Sequence, residues 1–76
     1  MGFRTNLVRI RMEHNLTQKQ MAESIKVRVQ AYQAYEHGRA HPNFKVLQCI
    51  FDIYNIKDIY NFMFYEYNKG KFVNYS

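Results

Sequence analysis

Cysteine occurs once in the 76 residues, tryptophan not at all, proline once and glycine three times. A lone cysteine (Cys49) excludes an internal disulfide and any multi-cysteine zinc site, so the fold must rest on its apolar core. One proline and three glycines leave little material for linkers, and there is no low-complexity run. No stretch of about 18 apolar residues exists, which argues against a helical membrane span. The opening residues Met1-Gly2-Phe3-Arg4-Thr5-Asn6-Leu7 hold no apolar signal-peptide region, so a cytoplasmic location is the expectation. His14, His37 and His41 have neither metal-ligand spacing nor a cysteine partner set, and no metal site is expected. Paired carboxylates, a nucleophile elbow and a phosphate loop are also missing. Cys49 has no adjacent histidine or basic cluster to activate its thiol. Enzyme activity, a cofactor and a small-molecule substrate are therefore not expected.

Acidic residues are scarce as well: six Asp and Glu stand against eleven Lys and Arg, a formal net charge of +5. The imbalance is local. Residues 1–41 carry seven basic groups (Arg4, Arg9, Arg11, Lys19, Lys26, Arg28, Arg39) against three Glu, net +4. Residues 42–76 carry four Lys against three acids, net +1. Aromatics run the other way, with ten of the thirteen lying from Phe44 onward. A basic front suits a polyanion partner. The aromatic back needs a separate account.

Hydrophobic spacing predicts an all-α chain of five helices. Leu7, Ile10 and Leu16 fall on near-helical spacing over residues 3–14, and Asn15 is suited to the left-handed position that closes a helix. Thr17-Gln18-Lys19-Gln20 is a capping-box pattern opening a short second helix through Met21, Ala22 and Ile25. Lys26-Val27-Arg28 interrupts the period. Residues 29–36 then form a third helix, stopped at His37-Gly38, where glycine supplies positive φ. Pro42-Asn43 opens a fourth helix with Phe44, Leu47, Ile50, Phe51 and Tyr54 at spacings of three and four, and Asn55 ends it. Phe44, Phe51 and Tyr54 are expected in the core, and Cys49 as a buried small hydrophobe. Ile56, Ile59 and Phe62 or Met63 mark a short fifth helix. Beyond it, Asn68-Lys69-Gly70 is a turn signal and residues 72–75 have strand propensity, so the tail reads as a hairpin, a single strand or a frayed end. The division expected is a domain over residues 1–63 and an aromatic tail over 64–76.

A short helix, a tight turn and a second short helix within a basic surface is the helix-turn-helix plan for the DNA major groove. The run Ile10-Arg11-x4-Leu16-Thr17-Gln18-x2-Met21-Ala22-x2-Ile25-x-Val27-x4-Tyr32-x2-Tyr35-Glu36-x-Gly38-x3-Pro42 resembles the Cro and lambda-type repressor family (XRE-like helix-turn-helix). The resemblance runs without a gap through Pro42 and on to about Ile56. It implies a lambda-repressor-like DNA-binding domain whose third helix is the recognition helix. Base contacts would then come from Val29, Gln30, Gln33 and Ala34. Gln30 can bind adenine through N6 and N7, while Val29 and Ala34 can meet thymine methyl groups. Backbone contacts are implied for Gln18, Lys19, Arg28, His37, Gly38 and Arg39. Arg11 and Glu36 match a family pair that bridges helix one and the end of helix three. Tyr32 and Tyr35 match positions facing the core, as do Leu16, Met21 and Ile25.

Two departures stand out. Arg28 occupies the helix-cap position that usually holds Ser or Thr, giving up a cap of about 1 kcal/mol and placing a cation at the positive pole of the helix. An Arg there makes sense against DNA phosphate or guanine. Lys26 stands where the turn often has Gly, and must carry positive φ at some cost.

The expected function is a sequence-specific DNA-binding transcription regulator, a Cro-type repressor of a phage or mobile element, acting on a double-stranded operator as a homodimer. Phe64, Tyr65, Tyr67, Phe72 and Tyr75 are the expected oligomer or partner surface. The alternative is a protein-interaction module that binds a cognate repressor or toxin. Tyr, Phe, Asn, Ile and Lys enrichment of an AT-rich genome also accounts for such a tail by composition alone.

Overall fold

A computed structural model of the chain describes residues 2–64, 67–68 and 71–72. The described residues form five helices, α1 (Gly2–Glu13), α2 (Gln18–Ser24), α3 (Val29–His37), α4 (Phe44–Ile53) and α5 (Ile59–Phe64). Two-residue strands β1 (Tyr67–Asn68) and β2 (Lys71–Phe72) follow, paired antiparallel with Tyr67 opposite Phe72 and Asn68 opposite Lys71. Of the tail beyond α5, only this antiparallel pair is described, and the expected turn at Asn68-Lys69-Gly70 and strand over 72–75 otherwise lie outside the described residues. Tyr65 and Tyr75 lie outside the described residues.

Local chemistry sets the helix ends. Asn15, Lys26 and Asn55 hold φ of 56°, 63° and 56°, and Gly38 holds 79°. Each closes or follows a helix, where one left-handed residue turns the chain out of the spiral. The Thr17 hydroxyl accepts from the Gln20 amide at 3.0 Å while Gln20 Oε1 accepts from the Thr17 amide at 2.9 Å, completing the capping box. Asn43 caps α4 through the Val46 amide at 2.9 Å. Arg28 precedes α3 with no side-chain cap.

Leu7, Met21, Ile25, Tyr32 and Ile50 are sealed from solvent, with Ala22, Phe3, Tyr35 and Phe62 around them. Full burial of such a side chain contributes roughly 1.5–3 kcal/mol. Phe62 makes edge-on contacts with Phe3 and Phe51, joining α5 to α1 and α4. Asn6 is buried among these groups, and its Nδ2 donates to the Phe62 carbonyl at 2.8 Å. That bond ties α1 to α5 and has no signal in hydrophobic spacing.

One expected core residue is not there. Phe44 shares a helical face with Leu47 and Phe51, yet it is 78% exposed. It is the first residue of α4, and helical side chains lean toward the N-terminus. A side chain at this first position has no preceding turn of α4 to lie over, and Pro42, two residues earlier, is buried instead. Phe51 and Tyr54 are half-buried against the core, and so is Cys49, which is less enclosed than expected.

Candidate nucleic-acid interface

The recognition helix is mounted through its inner face. Tyr32 and Tyr35 are buried, their rings edge-on at 6.4 Å, and they seat α3 on the body of the domain. The last turn is fixed by Glu36. Arg11 donates to it twice, from Nε to Oε2 at 2.7 Å and from Nη2 to Oε1 at 3.3 Å. Arg11 Nη1 also donates to the Leu16 carbonyl at 3.0 Å, so one guanidinium holds α1, the approach to α2, and α3 together. The Tyr32 hydroxyl donates to Glu36 Oε2, and Gln18 Nε2 donates to Oε1 at 2.8 Å.

The charge states follow from these contacts. Burial opposes ionisation of Glu36, but hydrogen bonds from Arg11, Tyr32 and Gln18 outweigh it and hold the carboxyl below its usual range. The same hydrogen bond to Glu36 raises Arg11 further. Burial, then the bond to Glu36, raises the Tyr32 phenol, so it stays a donor.

Gln18 carries this order outward. A carboxylate can only accept, so Gln18 must turn its Nε2 toward Glu36 and its oxygen away. That oxygen accepts from Gln33 Nε2 at 3.2 Å. Gln33 is therefore held by a chain that begins at Arg11 in the scaffold.

The residues implied as base-reading differ in what they are free to do. Gln30 is exposed. Gln33 and Ala34 are half-exposed, and Gln33 is engaged by Gln18. Val29 is half-buried and packs against the core. Of the implied backbone contacts, Lys19, Arg28, His37, Gly38 and Arg39 are exposed, and Gln18 is half-buried under its hydrogen bonds. The N-terminal amides of α3 gain no bond from the Arg28 side chain. Such amides are suited to a phosphate oxygen.

Several hydrogen-bond partners around the site escaped the sequence. The Tyr32–Glu36 bond had a signal in their i,i+4 spacing. The Gln18–Gln33 bond spans 15 residues and required the turn geometry. Arg4 donates to the His37 carbonyl at 3.2 Å, across 33 residues, and had no signal at all.

A family profile described as helix-turn-helix matches residues 7–60. The HTH-type transcriptional activator BcrR of Enterococcus faecalis is 36% identical over 56 residues, which is 74% of this chain and 28% of BcrR. The chain thus spans little more than a quarter of the length of that relative. No solved structure matches. No helix among the described residues is long and apolar enough to cross a membrane. The chain belongs to the XRE-like helix-turn-helix family of DNA-binding regulators.

Proposed function

We propose that the chain is a sequence-specific transcription regulator that reads the major groove with α3 and grips the sugar-phosphate backbone around it. One observation carries this reading. α3 is fixed inward by Tyr32, Tyr35 and Glu36, while outward it leaves Gln30 exposed beside an exposed Arg28 at an uncapped helix start. A rigid mount with a polar, cation-flanked outer face is what base readout needs, because base contacts specify while phosphate contacts position. Gln30 is the leading reader, with Gln33, Ala34 and Val29 shaping the surface around it. Arg28, Arg39, Lys19, Gln18 and His37 supply the grip, with Gly38 shaping the turn that presents them.

The mode we propose is that of a Cro-type repressor, in which occupancy of an operator overlapping a promoter blocks polymerase. Two copies would pair through the α5 end, setting two recognition helices about 34 Å apart. Tyr60 and Phe64 support that pairing, being 62% and 63% exposed with ring centroids 5.1 Å apart. The same exposed aromatics favour the second reading, a cognate repressor or toxin as partner.

The test is selection from a random duplex library, followed by titration of the enriched sequence and by sedimentation of the free chain. The expected result is an enriched site bound at least about 10³-fold more tightly than random duplex. Absence of any enriched sequence, with a tight protein complex formed instead, would overturn the first reading in favour of the second. A reporter carrying the enriched site over its promoter decides between repression and activation.

A further inference from the structure

The loop that follows α3 is pinned from both sides. From beneath, the Arg39 and Ala40 amides both donate to the Ala34 carbonyl, at 2.9 and 3.3 Å. From above comes the first turn of α1. Arg4 Nη1 donates to the His37 carbonyl at 3.2 Å, and the guanidinium lies directly over Gly38. A Cβ at Gly38 would stand 2.9 Å from Arg4 Nη1, 3.0 Å from Cδ and 3.2 Å from Cζ. Gly38 is required by its φ of 79°, and the Arg4 side chain lies against the face that its missing Cβ leaves open. One residue earlier, the buried Phe3 ring lies 5.0 Å from the His41 ring at the far end of the loop. A cation at the C-terminal pole of α3 also meets the negative end of the helix dipole.

We propose that Arg4 is a positioning residue of the DNA-backbone grip. It holds the His37–Arg39 turn in the shape in which the Arg39 side chain meets phosphate. The proposal rests on the DNA-binding reading above. Arg4 acts through the loop, and the fixed geometry spares DNA the entropic cost of ordering it.

Arg4→Met and Arg4→Lys, each in the full chain, test this by amide hydrogen exchange without DNA and by titration with specific and random duplex across a salt series. In Arg4→Met the Arg39 and Ala40 amides should exchange several-fold faster while those of α2 keep their protection. Affinity should fall on the order of tenfold on both duplexes, leaving their ratio intact. Arg4→Lys should recover part of both effects, since an ammonium can reach the His37 carbonyl but cannot spread over Gly38. Unchanged loop amides in Arg4→Met overturn the proposal, including the case in which affinity drops through lost charge alone. Faster exchange throughout the chain overturns it as well, as does a loosened loop with unaltered affinity. A wild-type chain that binds no duplex overturns the DNA reading itself, and is told apart because the loop amides still respond to Arg4→Met.

Discussion

Arg11 Nε meets Glu36 Oε2 at 2.7 Å, and the two side chains are only 16% and 6% exposed. The pair joins the first helix to the last turn of the recognition helix, so it governs both stability and the pose of the reading face. Removing one partner of such a pair leaves the other charge poorly solvated, a loss of roughly 3 kcal/mol. A chain of this size is stable by only about 4–11 kcal/mol in total.

Glu36→Gln should therefore lower the melting temperature at neutral pH and alter its pH dependence. The carboxyl is held below its ordinary range in the folded chain. Its contribution is then complete above the unfolded pKa of about 4.3 and is lost as pH falls through the lower folded value. Wild type should lose stability on acidification in that window, and Glu36→Gln should show a flatter acid limb. Thermal melts from pH 7 down to pH 2 check this. Parallel curves for the two proteins would count against a lowered Glu36.

The Arg11–Glu36 pair was legible only through the resemblance to the repressor family, which has a matching pair at these positions. The helix ends were legible for a more local reason. Thr17, Asn15, Asn55 and Gly38 each satisfy a backbone need within a few residues of themselves. What could not be read depends on how helices cross. Asn6 on the Phe62 carbonyl and Arg4 on the His37 carbonyl join residues 56 and 33 positions apart, and polar side chains on α1 carry no periodic mark of such partners. Phe44 misled in the opposite way. Its spacing was right, but its place at the first position of α4 put it past the edge of the core.

Arg28 trades helix stability for surface charge. It stands at the cap of α3 with φ −70° and ψ 150°, the geometry a Ser cap adopts, yet its side chain makes no cap bond. Arg28→Ser should stabilise the fold by about 1 kcal/mol, seen as a higher denaturation midpoint. The same change should weaken DNA binding on all sequences and reduce the salt slope by about one, if Arg28 neutralises one phosphate. Greater stability with an unchanged salt slope would remove Arg28 from the backbone grip.

Lys26 holds φ of 63° in the turn between α2 and α3, a conformation costing an ordinary residue about 1–2 kcal/mol. Lys26→Gly relieves that strain and adds about 0.5–1 kcal/mol of unfolded-chain entropy, so the net gain is smaller than the strain itself. Lys26→Ala keeps the strain. Chemical denaturation of the pair should place the glycine variant roughly 1 kcal/mol above the alanine variant. If the order is reversed, the turn carries no strain worth relieving.

Gln30 and Gln33 share a residue type and a helix, yet their freedom differs, and so should their effect on specificity. Gln30 is exposed, with both its amide donor and its carbonyl open to an adenine edge. Gln33 spends a donor on Gln18, whose own orientation is dictated by the Glu36 carboxylate. Gln30→Ala should relax discrimination at one base pair by about 1–3 kcal/mol, measured against all four bases at each operator position. Gln33→Ala should change the preference less, because the bond to Gln18 fixes the Gln33 amide and keeps it from turning freely onto a base edge. Gln18→Ala separates the two cases further. It releases Gln33 from its inward bond and should broaden the base preference beside Gln33 while leaving that beside Gln30 in place. Equal losses from Gln30→Ala on operator and random duplex would refute the base-reading role, because a residue that touches only backbone weakens every sequence alike.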